Sequence, residues 1–377
     1  MARIIGFRPL IDAAGAAQWE GFTDADRALT DLAGNVRGQL QGYDCGAYEY
    51  QASATLTDWT WYGAETSMDG DLAGAGWRQM AYGAPCFLPG EAAAVFADRV
   101  GFDTASLGLS SRWSLVSLQD KTAKTQLTLT AETSAAALTI GGDWVKSGAS
   151  ALTVAMPVEV SGATVFSAGA VDVPAGGALV LGTTTVKGSG TCLEVQGGKL
   201  SFGSFLNVRD TATAEFADGM LSGGELSVAQ QARTAVVFSG AEVTLTRLET
   251  GDESGARYGD VIQTAGTVTL TGTGKEKQAP LHLSHWSGRS TYSLKGGQLC
   301  VPNGEVRLGR DGYGILRVEG GVAKLKSVAV TKGALQLAGG TYCALASQTI
   351  APVFVTGTNS RLEVTEGQTL TFSGADS

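Results

Sequence analysis

Only two histidines occur among the 377 residues, His282 and His285, in Leu281-His-Leu-Ser-His-Trp286. Imidazole is the usual proton carrier near neutral pH and a common metal ligand, so any histidine-based chemistry must pass through these two. Read as a strand, a spacing of three sets them on opposite faces. On that reading they are not expected to share a metal ion. A Ser–His–Asp triad would need one of them, and the G-x-S-x-G nucleophile elbow is absent. Gly272-Thr-Gly274-Lys275 is followed by Glu276, where a phosphate loop needs Ser or Thr for magnesium.

Carboxylates are the next place to look. A glycosidase needs two of them roughly 5–10 Å apart on one face. The clusters dense enough are Asp24/Asp26/Asp31 and Asp69/Asp71. The first reads better as a turn in which Asp31, Gly34 and Asn35 cap the backbone. Neither has the Gly and terminal Glu of an EF-hand loop, and there is no nonapeptide calcium repeat. No catalytic residue, metal site or cofactor is therefore expected. The five cysteines, Cys45, Cys86, Cys192, Cys300 and Cys343, form no C-x-x-C pair. They read as isolated half-buried thiols, with a Cys45–Cys86 bridge left open. Trp59, Trp61 and Trp77, near Tyr62, are the weak candidates for binding. Exposed in a row they would stack on sugars, but clustered aromatics favour burial as core or cap.

The elements that would hold these residues are short strands. Glycine supplies 53 of the 377 residues, about twice its usual ~7% share. From Trp113 onward, segments such as Gln126-Leu-Thr-Leu-Thr130, Val243-Thr-Leu-Thr246 and Gly333-Ala-Leu-Gln-Leu337 alternate apolar and polar residues. That is the signature of a strand with one face inward. Helical patterns are few: Glu91 to Val100 is the best, Val228 to Thr234 weaker. Gly-Gly pairs punctuate the strands at Gly197–Gly198, Gly223–Gly224, Gly296–Gly297, Gly320–Gly321 and Gly339–Gly340. A coil turning between sheets needs a left-handed backbone at such a corner, which glycine accepts without strain. The last three pairs recur at intervals near one solenoid coil. The alternative, hairpin turns in a sandwich, does not explain why one phrase recurs with the turn. The fold expected is all-β, a right-handed parallel β-helix (β-solenoid) punctuated by Gly-Gly.

Two resemblances extend this reading. The stretch 258–344 carries GDVIQTAGTVTLTG, LHLSHWSGRSTYSLKGGQL and VRLGRDGYGILRVEGGVAKL. It resembles the strand repeats of bacterial autotransporter passengers, with Gln263, Gly266, Tyr292, Leu294, Gly296, Gly297, Gly320 and Gly321 at matching positions. Ala265 and Ser284 stand where that family commonly has glycine. The stretch 9–50 carries PLIDAAG and DLAGNVRGQLQGYDCGAYEY. It resembles the closing segment of bacterial right-handed parallel β-helix domains, with Cys45 in place of the usual Ile. The resemblances imply three regions: 1–51, the closing segment of a β-helix; 52–110, a Trp-rich connecting or capping region; and 111–377, a solenoid of autotransporter-like repeats.

They also imply a fragment of a larger secreted or cell-surface protein, since no signal peptide or anchor is read in the chain. The net charge of −9, with no basic run, argues against nucleic acid. The lack of an apolar run of ~18 residues argues against membrane insertion by this segment. The function expected is a non-enzymatic structural or adhesive segment. Host or matrix glycans or surface proteins would be its partners, and a monomer is expected. The alternative is a polysaccharide-binding or polysaccharide-degrading β-helix protein. A trimeric fibre is a third reading.

Overall fold

A computed structural model describes residues 58–373, except 65, 79–87, 89–92, 232–234, 252–257, 287 and 351–352. The expected 1–51 segment and the Cys45–Cys86 pair lie outside the described residues. The described chain is a parallel β-solenoid of about 12 turns. Each full coil lays chain on three sheet faces, as three short strands in the earlier coils and as one continuous strand in coils such as Cys192–Asp210. Strands pair with their counterparts one coil away; where a strand runs on round the corners, as in Cys192–Asp210, Thr213–Gln230 and Ala235–Thr250, that counterpart is the next strand in the chain. In sheet 1, Leu118, Trp144, Thr164, Thr184, Leu206, Leu226 and Leu248 stand in one column of register partners, mostly 20 to 22 residues apart. Pairing is parallel throughout, apart from Trp61 against Trp77.

Alternation drives this arrangement. In sheet 2 the inward residues Leu127, Leu152, Val171, Leu193, Ala214, Val236 and Val261 stack in register, and all are buried. In sheet 3 Leu138, Val158, Leu179, Leu200, Leu221, Val243, Val268 and Leu299 do the same. Full burial of each such side chain contributes about 1.5–3 kcal/mol, and each added coil extends the same ladder. On the last described coil, Leu362 pairs with buried Tyr342 but is itself 44% exposed.

The corner between sheets 2 and 3 explains the recurring phrase. Gly297 has φ +73°, and a Cβ there would meet the Gly266 carbonyl oxygen at 2.2 Å. Gly321 stands in the same relation to Gly297. Buried Gln263 braces this corner: its Nε2 donates to the carbonyls of Gly266 (3.1 Å) and Gln298 (3.0 Å), and its Oε1 accepts from Tyr292 Oη (2.7 Å). Gly197, Gly321 and Gly339 also have positive φ. Gly223 and Gly224 do not. They lie inside the strand Thr213–Gln230, where a Cβ on Gly223 would strike the Phe202 ring of the preceding coil at 2.7 Å. That pair serves close stacking between coils rather than a left-handed turn.

Both expected helices are corrected. Ala93–Phe96 is a strand, pairing in parallel with Asp58 to Thr60 on one side and Leu118 to Asp120 on the other. Burial of Ala94, Val95 and Phe96 in the stack overrides the helix preference of an alanine run. Residues 228–230 end the strand Thr213–Gln230, and 232–234 lie outside the described residues. A single 3₁₀ turn, Glu276–Gln278, is the one helical element among the described residues. No helix there is long and apolar enough to cross a membrane. The stacking runs through position 110 without a break, since Thr104–Leu109 pairs with Gln126–Ala131.

Sheet 1 also carries a buried ion pair in its interior. Its second inward column runs Phe96, Asp120, Lys146, Phe166. A fully buried ion pair therefore sits between two phenylalanines, with Lys146 Nζ 3.0 Å from Asp120 Oδ2. Thr122 donates to Asp120 Oδ1 from its backbone N (3.0 Å) and its hydroxyl (2.6 Å). Lys146 also donates to the Gly148 carbonyl at 3.0 Å.

Candidate functional site

The densest cluster of titratable side chains lies on the outer face of sheet 1. Ser227, Glu249, His282 and Arg307 occupy successive register positions there. Their chain neighbours, Leu248, Thr250, Leu281, Leu283, Val306 and Leu308, point into the core and are buried. Outward positions should be wet, yet Glu249 is 1% and His282 0% exposed.

The cause is the turn after Leu281–Leu283. Ser284 takes φ +63°, and the chain folds back over the sheet. The backbone N–H groups of His285 and Trp286 donate to the carbonyls of Thr250 and Gly251, each at 3.0 Å. His285 stacks on His282 with ring centroids 4.4 Å apart, and Trp286 stacks on His285 at 5.0 Å. The Arg310 guanidinium lies 4.9 Å over the Trp286 ring. This overturns the expectation that His282 and His285 face opposite ways. The period-2 rule holds only while the strand continues, and the left-handed Ser284 ends it.

A chain of charge-assisted contacts runs through the cluster. Glu225 Oε2 accepts from Arg247 Nη1 at 3.1 Å. Arg247 Nη2 pairs with Glu249 Oε2, and Glu249 Oε1 meets His285 Nδ1. Arg310 Nη1 donates to His285 Nε2 at 2.6 Å. Guanidinium is donor-only, so His285 Nε2 accepts and Nδ1 carries the proton facing Glu249. His282 differs: both its ring nitrogens are buried without a hydrogen-bond partner. Burial first, then the charges of His285, Arg247, Arg307 and Arg310, pulls its pKa down to about 3. It is neutral at ordinary pH. The ligand atoms of Glu249, His282 and His285 all lie within 4.8 Å of one another. Beside the cluster a groove of about 440 Å³ is lined by Phe205, Glu225, Arg247, Thr273 and Gln278, among others.

The residues singled out from sequence are placed elsewhere. Trp59, Trp61 and Trp77 are 6%, 2% and 0% exposed and form no outward aromatic row. Trp61 and Trp77 donate their indole N–H groups to the carbonyls of Met68 (2.8 Å) and Leu72 (2.9 Å). They pack edge to face at 5.2 Å, and Trp77 stacks on Phe96 at 6.0 Å. The group covers the first described coils as core. Asp69 accepts from the Ser106 backbone N (2.6 Å) and Asp71 from the Ala73 backbone N (3.0 Å), so both brace local backbone. Asp24, Asp26 and Asp31 lie outside the described residues. Cys192, Cys300 and Cys343 are free and half-buried.

Glu249 escaped the sequence reading because it precedes His282 by one long coil, Leu248 pairing with Leu281. Aligning Arg247-Leu-Glu249 with Pro280-Leu-His282 would have put the carboxylate beside the imidazole. No family model, curated protein or solved structure matches the chain.

Proposed function

We propose that this chain is a rigid, non-enzymatic display segment of a large secreted or cell-surface bacterial protein. The observation that carries the reading is the unbroken parallel stack itself. Core ladders spend the inward side chains on rigidity, while outward positions rich in Thr and Ser and the inter-strand loops stay free to vary. Length scales with coil number in such a design, which suits a stalk. The resemblance of 258–344 to autotransporter passenger repeats supports the surface location. Host or matrix glycans or surface proteins would be engaged by loops or sheet faces. The test is antibody labelling of intact cells of the source organism, with and without external protease. Surface signal lost on protease treatment is expected; a signal found only after lysis would refute the reading.

A second reading, a polysaccharide-binding solenoid, draws on the groove beside Arg247 and on half-exposed Trp286 and Phe205. Affinity electrophoresis through a panel of neutral and acidic polysaccharides separates the two. Retardation abolished by Trp286→Ala would favour binding, and no retardation on any gel favours the plain stalk.

A further inference from the structure

We propose that Glu249, His282 and His285 bind a single divalent transition-metal cation, zinc first among them, and that this metal staples the coil that separates Leu248 from its register partner Leu281. The observations are geometric. Three donor atoms of the types zinc prefers converge within 4.8 Å on the outer face of sheet 1. Zinc bonds to nitrogen and carboxylate oxygen are about 2.0–2.2 Å long. Ligands around one ion therefore sit roughly 3–3.5 Å apart, and small side-chain rotations bring this set to that spacing. His282 supplies the second observation. A fully buried imidazole with neither nitrogen partnered leaves a polar group desolvated with no hydrogen bond in return. A metal ion on one nitrogen removes that defect.

The donor set selects the class of ion. Calcium and magnesium take oxygen ligands in sixes or more; two imidazoles and one carboxylate suit zinc, copper or nickel. Three ligands leave a fourth position for water or a side chain.

The surrounding charges set the terms. Arg247, Arg307 and Arg310 face the cluster, and Glu225, Glu249 and Glu305 offset them through contacts with Arg247 and Arg307. Arg310 is the competitor. It donates to His285 Nε2, which forces the proton onto Nδ1, the atom that must ligate. When Nδ1 takes the metal, the proton sits on Nε2 and Arg310 must let go. It has somewhere to go, because Asp311 lies 3.7 Å from its Nε and the Trp286 face 4.9 Å away. Arg310 thus holds the proton on Nδ1 when no metal is bound.

The staple joins the strand Ala235–Thr250, the strand Leu281–Leu283 and the turn beyond it. Leu248 and Leu281 are register partners 33 residues apart, against 20 and 22 in the two preceding steps of the column and 25 in the next. This step is longer than those directly before and after it in the same column, so a cross-link here closes more chain than it would in either neighbour.

The test uses the full chain without a polyhistidine tag, so that His282 and His285 are the only imidazoles in the sample. Chelator-treated protein is titrated with zinc chloride, and the loaded protein is examined by X-ray absorption. One equivalent bound, with scattering from two imidazoles and no sulfur, is expected. Calcium and magnesium should not compete. Arg310→Ala should bind zinc at least as tightly as the parent. The pair His282→Ala and His285→Ala should each lose the site, with circular dichroism checking that the strands remain. Absence of zinc binding, sulfur from Cys192, Cys300 or Cys343 in the shell, or undiminished binding in the doubly substituted protein would overturn the proposal. Because the absorption measurement is made on the parent chain, it decides the matter even if a variant fails to fold.

Discussion

Removing Asp120 alone should do more damage than removing Asp120 and Lys146 together. Both side chains are fully buried in the core of sheet 1. Asp120→Ala strips the acceptor from Lys146 Nζ and from the Thr122 backbone and hydroxyl donors. The ammonium then keeps only the Gly148 carbonyl. An uncompensated buried charge of this kind costs about 3–5 kcal/mol. The double change Asp120→Leu with Lys146→Met continues the hydrophobic column between Phe96 and Phe166. Replacing a buried pair by apolar residues of similar volume is often neutral, or stabilising by about 1–4 kcal/mol. Urea unfolding followed by circular dichroism and by pulse proteolysis measures both, with the two probes guarding against partial unfolding of a repeat structure. The reasoning is refuted if Asp120→Ala is as stable as the parent, or if the double variant is the weaker of the two.

Two further outcomes follow from the corners and the thiols. Gly297→Ala combines φ +73° with a Cβ 2.2 Å from the Gly266 carbonyl oxygen, while Gly176→Ala has φ +93° but open space around it. Gly297→Ala should therefore cost more than the ~1–3 kcal/mol of backbone strain alone, and Gly176→Ala about that much; equal unfolding midpoints would contradict the stacked-corner account. Burial, with Glu194 beside it, raises the Cys192 pKa from 9.0 to about 11. Its thiolate fraction at pH 8 then falls about 100-fold, so iodoacetamide should label Cys192 far more slowly in the folded chain than in urea, as site-resolved mass spectrometry would read. Equal rates would show the thiol to be freely solvated.

The coils were readable because their determinants are local and repeated. Leu127-Thr-Leu129 states its inward face in three residues, and the Gln263 to Gly266 phrase encodes a corner, its glutamine bracing the turn that its glycine makes. Features made by neighbours one coil away were not readable. Asp120 and Lys146 are 26 residues apart in the chain but adjacent in register. The Ala93–Phe96 strand looks helical until its partners on either side are known. His285 needed the left-handed Ser284 to turn it onto His282, and the one sign of that was Ser284 standing where the resembled repeats commonly have glycine. Glu249 needed the length of the coil that follows it. The tryptophans were the reverse case: their clustering was visible, and burial against Phe96 decided its meaning.

The central claim, a rigid stack rising by one strand spacing per coil, is tested most directly along a single outward column. Thr153, Asp172, Glu194, Glu215, Val237, Ile262, Ser293 and Arg317 are successive register partners in sheet 2. Strands lie about 4.7–4.9 Å apart. Spin labels placed at Thr153 and Ile262, five steps apart, should be about 24 Å apart, and labels at Thr153 and Arg317, seven steps apart, about 34 Å. Pulsed dipolar spectroscopy, with the native cysteines replaced, should give two narrow distributions whose centres differ by about 10 Å, two strand spacings. Broad distributions, or a longer pair no farther apart than the shorter one, would contradict the solenoid and the stalk built on it.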